Sequence, residues 1–323
     1  MDEFSFIRSI TPKSYKQNSV IKGIGDDAAV FRQAGMDIVT SVDTFVDGVH
    51  FSKHTMNATH IGYRALAANL SDLAAMGAVP AFYFVSVVIP KTWSNADISA
   101  IFAGMRELAT HYQMDLMGGD TVSGKELTLS ITVVGFVEKD KARYRNDAKT
   151  GDIVFVTGTL GDSQAGFHII GHPQKKYKDA NYYIQRHRTP FPQVSLAREL
   201  RAIKRVALND ISDGIASEAN EIAEASMVDI HLFESSIPVY PSFDQFSKDQ
   251  QKKWKYYGGE DFELVGAVAP SDWKIVEEAA KKTNTLVTKI GCVSSAHETA
   301  NVFLHSKNNQ INRLKKDGYT HLK

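Results

Sequence analysis

The sequence predicts an α/β (α+β) fold built as two mixed α/β domains. Three observations carry that expectation. Short β-branched or alternating apolar runs are interleaved with Ala/Leu-rich runs of helical period along the whole chain. A charged, apolar-poor stretch, "EKDKARYRNDAKTGD" (138–152), interrupts that rhythm near the middle. The length, 323 residues, suits two sizeable cores. The domains are accordingly placed at 1–145 and 146–323.

In the first domain "AVFRQ" reads as a strand, and "DIVTSVD" (37–43) alternates and ends a strand at Asp43. From Thr59, "THIGYRALAANLSDLAAMGA" places Ile61, Leu66, Leu70 and Leu73 near helical spacing, with Gly77 as the stop. "AFYFVSVVIP" (81–90) is a buried strand, followed by a helix from about Asn95 to Tyr112 with Ser94 as N-cap. "LTLSITVVGFV" (127–137) is a long strand. In the second domain "IVFVTG" starts a strand and leads through "TLGDSQAGFHII" into a helix. Helices near 179–188 and 192–204, a strand at "VALND" and a helix from Asp213 to Ser226 come next. Strand "FELVGAVA", helix 271–283 and strand "TLVTKIG" complete the reading.

Composition excludes several classes of function. Formal net charge is zero, so no global field draws the chain to nucleic acid or to a membrane surface. Cys292 is the one cysteine, which removes internal disulfides and multi-cysteine metal sites. The beginning, "MDEFSFIRSI", has acids where a secretory signal needs positive charge, and the most apolar run is half a membrane span. A cytoplasmic protein is expected.

Two nucleotide motifs almost match, and chemistry rejects both. "GIGDDA" fits the spelling GxGxxG/A, yet Asp26 and Asp27 would point carboxylates at a pyrophosphate, and a strand follows instead of a helix. "GGDTVSGKE" (118–126) nearly spells a P-loop. Glu126 replaces the magnesium-binding hydroxyl, however, and the next element is again a strand. "HFSKH" lacks the glutamate of a zinc protease helix, so zinc at His50 and His54 is not expected.

What remains is a series of acidic turns without basic neighbours. Asp26 and Asp27 have no lysine or arginine following until Arg32. Asp43 ends a strand, Asp72 lies on an Ala/Leu helix, and Asp120 sits in "GGDT" after a strand. Asp210 and Asp213 flank "NDISDG", while Glu260 and Asp261 follow two glycines in "GGEDFEL". Singly, such residues cap helices and fill turns, a role that suits Asp213 and Asp162. Asp72 fits that role poorly, because an unpaired carboxylate on an apolar helix face is costly to bury. Two carboxylates ~4 Å apart repel by about 4 kcal/mol at an effective dielectric of 20, so a converging set calls for cations. Magnesium suits such a set, being hard, oxygen-liganded and shared with phosphates.

In order along nearly the whole chain stand "GIGDDAAV", "SVDTFVDGVHF", "RALAANLSDLAAMGA", "GGDTVSG", "VTGTLGDSQAGF", "NDISDGIASE", "GGEDFEL" and "GYTHL". This ordered set resembles the thiamine-monophosphate kinases, in the superfamily of aminoimidazole ribonucleotide synthetase and selenophosphate synthetase. The resemblance implies an N-terminal domain contributing strands to a dimer-spanning barrel, hence a homodimer, with the active-site cleft between domains. It implies transfer of the γ-phosphoryl group of ATP, as co-substrate, to thiamine monophosphate, the last step to thiamine diphosphate.

Carried over by motif position, Asp27, Ser41, Val42, Asp43, Asp72, Asp120, Asp210 and Asp213 hold several magnesium ions. Gly119, Asp120, Arg145 and Ser212 contact ATP, and His50, Glu260 and Tyr319 contact the thiamine phosphate. No residue is needed as a general base. Val42 stands where threonine is common, so only its backbone oxygen could serve. Thr320 and Leu322 stand where Asp and Phe are usual. The competing readings are a related ATP-dependent synthetase or ligase, and a non-catalytic nucleotide-binding maturation protein. The lone Cys292 lies far from the N-terminal reactive position a selenophosphate synthetase requires. "GYTHL" and "GGEDFEL" favour the kinase over both alternatives.

Overall fold

The structure is a computed structural model that describes residues 20–22, 26–33, 35–296 and 298–318. Its first sheet has six strands in the order β1-β2-β3-β6-β4-β5. These are β1 (Val20–Lys22), β2 (Ala29–Gln33), β3 (Met36–Val46), β4 (Val79–Ile89), β5 (Asp115–Ser123) and β6 (Thr128–Glu138). Two helices, α1 (Ala58–Ala75) and α2 (Asn95–His111), belong to the same half of the chain. Ser94 caps α2 as expected, and Asp97 completes the reciprocal capping box. The two helices cross at glycine: a Cβ on Gly62 would lie 1.8 Å from the Ile101 carbonyl, and one on Gly104 1.9 Å from that of Thr59.

The second sheet has seven strands in the order β13-β12-β9-β11-β7-β10-β8. They are β7 (Ile153–Thr157), β8 (Val206–Asp210), β9 (Val228–Phe233), β10 (Leu264–Val268), β11 (Val287–Ser295), β12 (Val302–His305) and β13 (Ile311–Arg313). Helix α6 (Ile215–Ser226) shares one core with β7, β9 and β11 through Ile215, Ala219 and Ile222. Helices α5 (Val194–Glu199) and α8 (Trp273–Thr283) share another with β7, β8 and β10. A third, mostly aromatic core of Tyr183, Phe243, Phe246 and Trp254 holds α3 (Asp162–Ile170), α4 (Ala180–Arg188) and α7 (Lys248–Tyr257) together.

Helix α1 joins the two halves. It packs on β3 and β6 of the first sheet and also touches α5 and β8 of the second half. Being covered from two sides, it is apolar nearly all round instead of along one stripe, which is why "ALAANLSDLAA" carries so few charges. Side chains reinforce the junction by donating to main-chain carbonyls across it. Arg143 Nη2 reaches Leu200 O (2.9 Å) and Ile203 O (2.7 Å), Tyr112 Oη reaches Pro192 O (2.9 Å), and Arg188 Nε reaches Thr55 O (2.9 Å).

Several expectations are corrected. "GGDT" lies inside strand β5 and not after a strand. The helix expected over 192–204 stops at Glu199 and passes into a tighter turn at Leu200–Ala202. The N-cap positions of α6 and α3 are held by Gly214 and Gly161, and not by Asp213 and Asp162. The cap of α3 comes from a distant residue: Asp261 accepts hydrogen bonds from Gly161 N (2.7 Å) and Ser163 N (3.0 Å). Strands β1, β9, β12 and β13 and helix α7 are not anticipated by the sequence pattern.

Candidate functional site

Four segments bring carboxylates to the junction. The turn before β2 carries Asp27, β3 carries Ser41 and Asp43, α1 carries Asp72, and β8 ends at Asp210. Asp27, Asp72 and Asp210 each offer an oxygen within 4.8 Å of the other two. Ser41 Oγ donates to Asp72 Oδ2 at 2.5 Å, and the Asp43 amide donates to Asn69 Oδ1 at 3.2 Å, which locks β3 against α1. Val42 is 59% exposed, facing away from the helix.

The electrostatics follow from burial and mutual repulsion. Burial raises Asp72 well above the usual carboxylate range, and Asp43, Asp210 and Asp27 add to it. Asp27 is raised by burial against the opposing pull of Arg145, with Asp210 and Asp26 contributing. Burial pushes Asp43 and Asp210 each up to about 6. Asp27 Oδ2 and Asp210 Oδ2 are buried with no hydrogen-bond partner among the described residues. Orphaned acceptor oxygens within one small radius, unmatched by local lysine, are the donor set a hard divalent cation takes. The residues therefore fit magnesium.

Arg145, in the tight turn Arg145–Asp147 between the sheets, is the one guanidinium at this cluster among the described residues. Its Nη2 donates to Asp27 Oδ1 (2.7 Å) and its Nε to Asn209 Oδ1 (3.1 Å). Asp26 is not stranded, as the sequence suggested. Lys22, four residues earlier, pairs with it at 3.3 Å, and Arg145 Nε stands 3.9 Å away. Glu218 was not singled out in the sequence, yet it organises the "NDISDG" turn. Buried on α6, it accepts from Asn209 Nδ2 (2.7 Å), Asp213 N (3.0 Å) and Ser212 Oγ (3.3 Å).

Beside the carboxylates opens a cleft of about 1100 Å³, lined from both halves of the chain. Asp43, His50, Ser212, Asp213 and Glu260 face it. Val46 N donates to His50 Nδ1 at 3.1 Å, so the neutral ring carries its proton on Nε2. The "GGEDFEL" loop continues the β8–β10 pairing: Glu260 N donates to Ser212 O (2.7 Å) and Phe262 N to Ile211 O (3.0 Å). A Cβ on Gly259 would lie 2.3 Å from Ser212 O, so only glycine permits that approach. Glu260 and Phe262 both hold positive φ, 69° and 51°.

Two expected ATP contacts lie elsewhere in a single chain. Asp120 pairs in register with Ser86 on β4, Ser86 with Ser130 on β6, and Ser130 with Thr44 on β3. That puts Asp120 three strands, roughly 14 Å, from β3. It also lies on the sheet face opposite Asp43, and it does not join the Asp27, Asp72 and Asp210 cluster. Gly119, its neighbour, is likewise on β5, all of whose residues are exposed. Tyr319 lies outside the described residues. In the stretch "QRHRTP" (185–190), Arg186 pairs with Glu263 at 2.6 Å and Arg188 Nε donates to Thr55 O. Lys316, of "RLKK", pairs with Glu221 (2.5 Å) and Glu224 (2.8 Å).

Comparison with known proteins matches residues 25–137 to the family "AIR synthase related protein, N-terminal domain" and 149–302 to the corresponding C-terminal domain. A thiamine-monophosphate kinase of Bacillus subtilis (strain 168) is 44% identical over 328 residues, covering 100% of each chain. Among solved structures, the thiamine-monophosphate kinase of Stenotrophomonas maltophilia K279a is 31% identical with a TM-score of 0.77, over 94% of this chain and 95% of that one. AaThiL complexed with AMPPCP and TMP is 25% identical with a TM-score of 0.85, over 99% and 97%.

Proposed function

We propose that this chain, which belongs to the thiamine-monophosphate kinase family, transfers the γ-phosphoryl group of ATP to thiamine monophosphate, giving thiamine diphosphate and ADP. The observation that carries this reading is the convergence of Asp27, Asp72 and Asp210 within 4.8 Å, beside a cleft shared by both halves of the chain. It is supported by a structural relative complexed with AMPPCP and TMP. The boundary between the N-terminal and C-terminal domains is placed at residue 145, and a cytoplasmic location goes with this reading.

The acceptor is itself a phosphate with a second pKa near 6, so at pH 7 it is mostly dianionic and needs no general base. The obstacle is repulsion between two anions, and phosphoryl transfer is catalysed chiefly by positioning and charge stabilisation. Magnesium ions held by Asp27, Asp43, Asp72 and Asp210, with Ser41, the Val42 backbone and Asp213 at the margin, supply that neutralisation when bound. Arg145, oriented by Asp27 and Asn209, presents a permanent cation to ATP phosphate. Ser212, on the turn held by Glu218, contacts ATP as well. His50 offers the Nε2 proton to the substrate phosphate, and Glu260 accepts from the thiamine end.

The first sheet also carries exposed apolar side chains, Val42, Phe84, Leu116, Met117 and Val122, four of the five on β4 and β5. Such a patch marks a protein interface. It supports a homodimer in which N-terminal strands close a shared barrel, so that Gly119 and Asp120 serve a site completed by the second copy. A charge on this face, Met117→Asp, yields monomers by light scattering and loses activity; a variant that stays dimeric overturns this interface.

The test of the reaction is stoichiometry. With magnesium, ATP and thiamine monophosphate, the purified protein forms thiamine diphosphate and ADP in equal amounts with little free phosphate, and a chelator stops it. Turnover of ATP only with a formylglycinamidine-type substrate overturns the assignment.

A further inference from the structure

Arg64 lies on α1, two turns before Asp72, and is only 3% exposed. A buried guanidinium is stable only with its charge and donors matched. Its Nη2 forms an ion pair with Glu260 Oε2 at 2.6 Å. Its Nη1 donates to the carbonyl of His187 at the end of α4, and its guanidinium carbon lies 5.7 Å from the centre of the Phe262 ring. Two elements of the second half, the α4 terminus and the loop bearing Glu260 and Phe262, thus meet on one side chain of the first. Glu260 itself faces the cleft, 32% of its side chain exposed, on backbone in the left-handed region.

The neighbouring acids of that loop are fixed by other means. Asp261 caps α3, and Glu263 is held by Arg186 (2.6 Å), Gln193 (2.9 Å) and Thr157 (2.5 Å). Glu260 has Arg64 as its side-chain anchor. We propose that Arg64 is a positioning residue for substrate selection. It clamps one oxygen of the Glu260 carboxylate, leaves the other aimed into the cleft for the amino-aromatic end of the substrate, and registers that acceptor against the helix that carries Asp72. This rests on the assignment of Glu260 to the thiamine end of the substrate.

The geometry separates the two substrates. Arg64 holds the Glu260 side chain, whereas Ser212, assigned to ATP, is tied to the same loop through the main chain by the bond from Glu260 N to Ser212 O, so removal of Arg64 acts chiefly on thiamine monophosphate. The Arg64–Glu260 contact is an ion pair, Nη2 having no aligned hydrogen-bond acceptor among the described residues, and losing its hold on Glu260 corresponds to about a tenfold change in affinity. In Arg64→Met, KM for thiamine monophosphate rises about tenfold while KM for ATP stays within about twofold. Arg64→Lys recovers part of the loss. The double variant Arg64→Met/Glu260→Gln is no worse than Glu260→Gln alone, because both changes remove the same interaction.

A purely structural role for Arg64 predicts a different pattern: both KM values shift together, and the two substitutions multiply. Either result overturns the proposal, as does an unchanged KM in Arg64→Met. Should Arg64→Met fail to fold, Arg64→Lys carries the test through the same split between the two KM values. Trp254 lines the cleft, so its fluorescence titrated with thiamine monophosphate, without ATP, reads binding apart from turnover. A wild-type protein that binds and phosphorylates no thiamine monophosphate overturns the functional reading instead, so the two failures are told apart.

Discussion

Asp72→Asn lowers turnover by about 10²–10³-fold or more, the cost of removing one element of a preorganised electrostatic site, and leaves the fold intact. The two halves of this result have one cause. Asp72 sits among Asp27, Asp43 and Asp210, and burial plus those three charges disfavour its ionised form. The one side-chain hydrogen bond it is seen to accept comes from Ser41 Oγ, at 2.5 Å. Asparagine has the same shape, keeps an oxygen for Ser41 and removes one of the mutually repelling charges. A pair ~4 Å apart repels by about 4 kcal/mol at an effective dielectric of 20, so without cations the variant melts no lower than wild type. What it loses is a ligand oxygen for the cation that neutralises phosphate. An ADP-release assay and thermal denaturation with chelator read the two effects separately. If more than a tenth of the activity survives, Asp72 is not a cation ligand.

The carboxylates were legible because each violated a local rule. Asp72 interrupts an Ala/Leu helix with a charge, and Asp27 sits in a glycine turn with no lysine or arginine following until Arg32. Both are costly in an ordinary core, and cost without local compensation is what a sequence displays. Arg64 and Glu218 were invisible for the opposite reason. "YRALAAN" and "ASEANE" place them where a helix carries its solvent-facing charges; the docking of the two halves buries Arg64, and the "NDISDG" turn folding onto α6 buries Glu218. Strand β5 escaped for a third reason. "LMGGDTVS" has two glycines and no apolar alternation, because none of its residues faces a core within one chain. The cap of α3 by Asp261 joins residues that the sequence sets far apart, so no spacing rule reaches it. Local patterning thus reveals elements and isolated charges, while the partners of those charges are properties of the packed fold.

Arg145→Met behaves differently from Asp72→Asn: it loses activity by about 10²–10³-fold and stability as well. The Arg145 guanidinium holds Asp27 at 2.7 Å, Asn209 at 3.1 Å, Asp26 at 3.9 Å and Glu221 at 3.8 Å. The side chains of Asp26 and Asp27 are only 1% exposed. Breaking a buried pair by removing one partner costs about 3–5 kcal/mol, because the other charge stays buried without compensation. Arg145→Lys keeps the charge but not the fork, so it reaches Asp27 or Asn209 and not both, and its melting temperature falls between the two. Magnesium separates the roles. If Arg145 and the cation share the Asp27 carboxylate, saturating magnesium restores part of the stability lost in Arg145→Met, and raises its melting temperature more than that of wild type. Activity does not return with it, since the contact to ATP phosphate is still missing. An equal loss of stability with and without magnesium would show that Arg145 and the cation act on separate groups, and Asp27 would then serve the arginine alone.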